Sequence, residues 1–176
     1  MKKVSAANIS GIPITLFFPL YARAVETGRK DSIFKDIHSV RIKDAIDFDF
    51  SIFERMKGKL SFSRSDMLAG ISIRTNLIDG FVTAFFKENP DGVIINLGCG
   101  LDTRFQRLDN GRIKWVDTDL PEVIEIRKQL LEENERYRMS GASILDESWV
   151  EASKAYWDGN APVMILAEGT LMYFKE

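Results

Sequence analysis

The 176-residue sequence holds one cysteine, Cys99, and one histidine, His38. A lone cysteine excludes an internal disulfide framework, and the two residues together are too few for a cysteine/histidine zinc site, so no metal centre is expected. This usage suits a reducing cytoplasm. A basic excess is also missing: 24 lysines and arginines stand against 26 aspartates and glutamates. The chain therefore lacks the electrostatic footprint of a nucleic-acid binder and a cationic face for an anionic membrane. No apolar run approaches the about 20 residues that a spanning helix needs. The N-terminal "MKKVSAANISGIPITLFFPLYARA" places lysines ahead of apolar residues, but Asn8, Ser10, Gly11 and Pro13 break it and no small-residue cleavage site precedes Arg23. It does not read as a secretory signal. What remains, 45% hydrophobic and 28% charged, is the make-up of one soluble globular unit with a sizeable core.

The apolar pattern changes period along the chain. From Pro19 to about Asn89 it is mostly helical, and residues 1–90 are expected to form an N-terminal helical cap. "DSIFKDIHSVRIKDAI" sets Ile33, Phe34, Ile37, Val40 and Ile46 near one face, with Asp31 or Ser32 available to cap its start. "SDMLAGISIRTNLIDGFVTAFFKENP" continues the helical spacing up to the turn Pro90-Asp91-Gly92. Beyond it, "VIINL" (93–97), "IKWVDTD" (113–119), "SGASIL" (140–145) and "VMILAEG" (163–169) are short runs between turns, separated by helical stretches such as "PEVIEIRKQLLEENERY". Strands that alternate with helices imply an α/β core, residues 91–176, with a parallel sheet covered on both faces. "VMILA" is apolar on both faces, as a strand inside a sheet would be. With the chain ending at Glu176, that fourth strand is expected to be exposed and available for pairing with another copy, giving a homo-oligomer.

"VIINLGCGLDTRF" (93–105) joins a strand to a glycine turn and a helix, which aims backbone N–H groups and a positive helix end at a ligand. The dinucleotide fingerprint wants a third glycine or alanine three residues after the second, and here that position is Thr103. Asp102 puts a negative charge where a pyrophosphate would sit. At an effective dielectric of about 20, two like charges some 4 Å apart repel by roughly 4 kcal/mol. A phosphate ligand, and with it a nicotinamide-dependent oxidoreductase, is disfavoured. Asp119 lies about twenty residues beyond the glycines, where a carboxylate commonly accepts ribose hydroxyls. A nucleoside with a cationic tail satisfies both observations, and S-adenosylmethionine is such a molecule.

"NLGCGLDTRFQRL", "WVDTDLPEVIEIRKQLL", "SILDESW" and "ILAEGTLMYF" resemble, in order, the motifs of the class I methyltransferases of the leucine carboxyl methyltransferase and polyketide (tetracenomycin-type) O-methyltransferase family. "FFPLYARAVETGRKDSIFKD" resembles that family's entry segment. The resemblance implies a Rossmann-like methyltransferase sheet, of which this chain carries the first four strands. It implies that Gly98 and Gly100 surround the methionine part of S-adenosylmethionine beside Asp102, and that Asp119 holds the ribose. Leu145 and Asp146 would flank the adenine, Glu168 would line the amino-acid end, and Arg74 would pair with the cofactor carboxylate through a planar guanidinium. The cap helices would close over a small-molecule acceptor. Two departures stand out: Cys99 replaces the small residue usual between the glycines, and the last three strands of the family sheet are not present.

Simpler readings stand beside these. Asp117 shares a strand face with Asp119, so one of the two can be a helix cap before Pro121. Asp146 can cap a helix starting near Glu147, Arg74 can be a surface charge, Tyr173 a core residue, and Cys99 a small packing residue. His38 reads as a structural or surface histidine, and no residue is assigned as a catalytic base. A histidine-poor chain suits a carboxylate acceptor, already ionised at neutral pH, over a hydroxyl that must lose a proton. The expected activity is O-methyl transfer to a carboxylate or hydroxyl of a small, polyketide-like molecule. The alternative is a truncated, non-catalytic cofactor-binding or oligomerising fragment.

Overall fold

The computed structural model describes residues 3–5, 13–55, 63–154, 157 and 159–173. The described chain forms two compact units, Met1–Phe81 with Leu101–Arg107, and Val82–Gly100 with Leu108–Glu176. The division falls within the long helix before residue 90 and returns the segment after the glycine turn to the first unit.

The first unit is helical, with α1 (Pro13–Gly28), α2 (Ile37–Ala45), α3 (Ser51–Arg55) and most of α4 (Arg64–Glu88). A short parallel pair sets β1 (Val4–Ser5) beside β2 (Ile46–Asp47), the residues that follow α2. α1 buries Phe17, Phe18, Leu20 and Tyr21 on one face. Phe17, Phe18 and Tyr21 meet Phe48, Phe50 and Phe53 with ring centroids 4.5 to 6.3 Å apart, a geometry that adds to the area each ring removes from water. The expected helix over 31–46 begins later. Asp36 is its N-cap, accepting the Ser39 N–H at 2.9 Å, and the Ile33 N–H goes to the Glu26 carboxylate at 2.8 Å, so residues ahead of Asp36 are held in a turn. Ile33 and Ile37 are exposed and Ile42 is buried, a different face from the one the spacing suggested.

The second unit is a four-stranded, all-parallel sheet. Its strands are β3 (Val93–Leu97), β4 (Lys114–Asp119), β5 (Tyr137–Gly141) and β6 (Val163–Leu166), in the order β5-β4-β3-β6. α6 (Pro121–Leu130) and α7 (Ser148–Lys154) link them, while α5 (Arg104–Leu108), after the glycine turn, belongs to the first unit except for Leu108. Every residue of β3 is buried, as a near-continuous Val/Ile/Leu run in a central parallel strand requires. Strand β5 starts three residues before the expected position at Ser140. Ser143 ends the run by turning the chain, with its hydroxyl accepting from Leu145 N–H and its carbonyl from Asp146 N–H. Among the described residues β6 pairs on one side only and Ile165 is 55% exposed. The apolar run expected inside a sheet forms the edge of this one.

The order steps outward from β3 through β4 to β5, then returns to the other side of β3 with β6. The crevice past the carboxyl ends at such a reversal is where open α/β sheets bind their ligands.

Candidate functional site

Residues 98–100 leave the carboxyl end of β3 at that reversal. Gly98 and Gly100 have φ of 63° and 51°, the left-handed region that glycine enters without a Cβ penalty. Gly98 is also pressed by the loop after β6: a Cβ there would lie 2.8 Å from Cβ of Thr170, with the rest of that side chain closer still. The Thr170 hydroxyl reaches the carbonyls of Gly98 and Glu168 at 3.3 and 3.2 Å.

Gly100 is held on both sides. Its N–H donates to Asp119 Oδ2 at 2.7 Å, and its carbonyl accepts from Arg127 Nη1 at 2.7 Å. The Cys99 N–H donates to the Thr118 carbonyl at 3.1 Å. The other Asp119 oxygen accepts from the Leu120 N–H at 2.7 Å; Leu120 is the N-cap of α6, which has no side-chain cap, so neither Asp117 nor Asp119 caps that helix. Burial pushes the Asp119 carboxyl above the usual carboxylate range, against the pull of the Gly100 and Leu120 N–H groups. A carboxylate has about four acceptor positions, so two remain for a ligand.

Asp117 settles differently. Its side chain is buried among Asn96, Trp115, Arg127 and Tyr137: the Asn96 amide and the Trp115 indole N–H donate to Oδ1 at 2.8 Å each, and the Tyr137 hydroxyl donates to Oδ2 at 2.7 Å. Arg127 pairs with the same Oδ2 and donates to the Tyr137 oxygen at 2.7 Å. Both residues are almost wholly buried. Burial raises the Tyr137 hydroxyl well above its usual range, so it stays a donor to Asp117. Periodicity reading passed over Arg127 because "EIRKQ" looks like a solvated helix face. The available signal was its spacing, since it stands three and four residues after the buried Ile124 and Val123.

The remaining residues are placed as follows. Asp102, in the first compact unit, caps α5: Oδ1 accepts the N–H groups of Thr103 and Arg104 at 2.7 and 3.2 Å, while Oδ2 pairs with Arg104 at 2.9 Å. Arg74 sits half-buried on α4 of that unit. Glu168 is half-buried two residues after β6, on the loop that carries Thr170. Leu145 and Asp146 are exposed on the loop after β5. Asp146 accepts the Ser148 N–H at 2.8 Å, the capping role that was open to it, and the Ser148 hydroxyl and N–H hold its carboxyl below the usual range. The structure thus joins Gly98, Gly100, Asp119 and the Glu168 loop at one end of the sheet.

A parallel sheet reversing at β3, with a glycine turn locked to a carboxylate at the end of the next strand, defines a Rossmann-like methyltransferase-type fold. The profile of the leucine carboxyl methyltransferase family matches residues 17–176, and the chain belongs to that family. It is 32% identical over 170 residues to Tetracenomycin polyketide synthesis O-methyltransferase TcmP of Streptomyces glaucescens, covering 96% of this chain and 58% of the relative. It is 29% identical over 177 residues to S-adenosyl-L-methionine-dependent methyltransferase dpfgK of Gibberella zeae, covering 94% and 57%. Over 140 residues it is 29% identical to Leucine carboxyl methyltransferase 1 of Kluyveromyces lactis, covering 61% and 42%. The chain spans less than three fifths of the length of these curated relatives. Among the described residues no helix is long and apolar enough to cross a membrane.

Proposed function

We propose that this chain binds S-adenosylmethionine and serves an O-methyltransferase acting on a carboxylate or hydroxyl of a small, polyketide-like molecule. The observation that carries the reading is Asp119: a half-buried carboxylate, bonded to the N–H of the second turn glycine and keeping acceptor capacity at the end of β4. Such a group fits two neighbouring ribose hydroxyls, and its charge favours a sulfonium over a pyrophosphate. Gly98 and Gly100 give the backbone close approach to the methionine part. Glu168 lines its amino-acid end, and Leu145 and Asp146 flank the adenine. Bound there, S-adenosylmethionine supplies the methyl group, and the protein contributes alignment of the acceptor oxygen with it. The names of the relatives, one a polyketide O-methyltransferase, support the acceptor class. The single cysteine favours the cytoplasm.

Calorimetric titration with S-adenosylhomocysteine tests the reading. Micromolar binding to the chain, lost in Asp119→Ala, is the expected result, and a folded chain that shows no binding overturns it. A second reading, pairing of β6 with another copy, draws on the exposed Ile165. Gel filtration decides it, since a monomer with bound cofactor excludes it.

A further inference from the structure

We infer that Arg127 is the positioning residue of the cofactor site: it holds the glycine turn by its bond to the Gly100 carbonyl, fixing the glycine whose own N–H meets Asp119. The inference rests on the proposed function for what the turn binds, and on the geometry of the sheet unit for the rest.

Arg127 is a wholly buried cation on α6. A charge in the interior is costly unless paired and hydrogen-bonded, and a methionine or leucine would fill the same space at the helix–sheet interface without that cost. Its partners show what the charge is for. Asp117 and the Tyr137 hydroxyl fix one terminal nitrogen, and Asp117 is itself held by Asn96 and Trp115 from β3 and β4. The other terminal nitrogen is thereby aimed at the Gly100 carbonyl, at 2.7 Å. Four side chains from three strands thus orient the one guanidinium that reaches a backbone oxygen of the turn. The peptide that Arg127 grips by its oxygen begins at Gly100, and the N–H of the same glycine is gripped by Asp119.

Turning this glycine out of its left-handed conformation requires breaking both bonds. Asp119 has a ligand to hold as well as the turn, whereas the bond from Arg127 serves the turn alone. The positive charge of Arg127 also favours the ionised form of Asp119, opposing Asp117 and burial. The arginine thus acts through Gly100 and Asp119 without touching the ligand.

The test compares affinity with stability. S-adenosylhomocysteine titration and thermal unfolding are run on wild type, Arg127→Lys, Tyr137→Phe and Ile113→Ala; Ile113 is a buried residue just before the far end of β4. Arg127→Lys, which keeps the charge but has no fork to span both partners, is expected to bind about tenfold more weakly. Tyr137→Phe, which frees one side of the guanidinium, should bind a few-fold more weakly. Ile113→Ala should lose more stability than either and bind as wild type. Wild-type affinity in the Lys and Phe variants overturns the inference, as does an equal loss in Ile113→Ala. If the Lys variant does not fold, Tyr137→Phe decides on the same terms. If wild type fails to bind, the proposed function falls while the positioning role is still read from amide hydrogen exchange. Exchange at Gly100 should accelerate about tenfold in Tyr137→Phe and stay unchanged in Ile113→Ala, and unchanged exchange in both overturns it.

Discussion

The two compact units each bury arginines and aspartates, and they put them to different uses. In the helical unit the charges hold one another. Asp36 takes Arg23 at 3.1 Å and the Thr103 hydroxyl at 2.7 Å, Asp79 takes Arg104 at 2.8 Å and pairs with Arg107, and Asp102 takes Arg104 at 2.9 Å. Carboxylates answer guanidinia until the cluster is closed on itself, with the exception of Arg23, which reaches the Leu101 carbonyl at 2.6 Å. In the sheet unit the Asp117–Arg127–Tyr137 group ends on a backbone carbonyl of the turn, and Asp119 is left with acceptor positions to fill. A closed cluster fixes a shape; an open one presents a group to something else. Burial of charge alone therefore does not mark a site, nor does a bond to a backbone carbonyl, which Arg23 also makes; a carboxylate left with acceptor positions does.

Breaking the closed cluster should have the largest effect on stability. Asp36→Ala removes the α2 cap and leaves Arg23 without its carboxylate in the interior. It should cost about 3–5 kcal/mol, read by urea unfolding. Gly98→Ala attacks the open one: it places a Cβ at positive φ against Thr170. A loss of about 1–3 kcal/mol is expected, with S-adenosylhomocysteine affinity falling at least about tenfold; a variant that binds as wild type breaks the assignment of the turn.

A smaller and sharper contrast lies in pH. Arg136 beside Asp109 holds that carboxyl below the usual range, whereas burial holds Asp119 above it. For Asp109 the folded state binds its proton less tightly, so its contribution is present above the ordinary carboxylate pKa of about 3.9 and is lost as pH falls through the lowered value. For Asp119 the folded state binds the proton more tightly, so ionisation lowers stability as pH rises through the raised value. Asp109→Asn should destabilise at neutral pH and approach wild type as pH falls below the ordinary carboxylate value. Asp119→Asn should be neutral or stabilising at neutral pH, with the difference shrinking in acid, while cofactor affinity falls. Urea unfolding at pH about 7 and about 3 checks the opposite signs. Cys99→Ala should change least, since Cys99 is a small buried residue of the turn; affinity within about twofold of wild type is expected.

Much of this was legible in the chain. "VIINL" and "IKWVDTD" declared two strands because apolar, β-branched residues bounded by turns have few other solutions, and the glycines and Asp119 followed from strand ends. Strand β5 was placed late because "YRMSG" carries an exposed Arg138 and reads as polar, whereas its pairing with Trp115–Asp119 is a long-range fact. The α2 start was missed since Asp31, Ser32 and Asp36 are equally good caps locally, and the choice of Asp36 depends on Arg23 and Thr103 arriving from elsewhere. Arg127 was missed for the same reason. A residue type typical of surfaces became interior through partners on β4 and β5 that no short window contains.

Thr170 leaning on Gly98 has a consequence for the order of events as the chain is made. The turn is synthesised 72 residues before the threonine that packs against it, and β3 gains its second neighbour only when β6 arrives. A chain growing from its N-terminus has the strand and its glycines early, and lacks the side chain that presses them into place until β6 has emerged. The first turn of the sheet thus matures only after β6 has docked, and on refolding the recovery of ligand binding should follow the formation of the β3–β6 pairing.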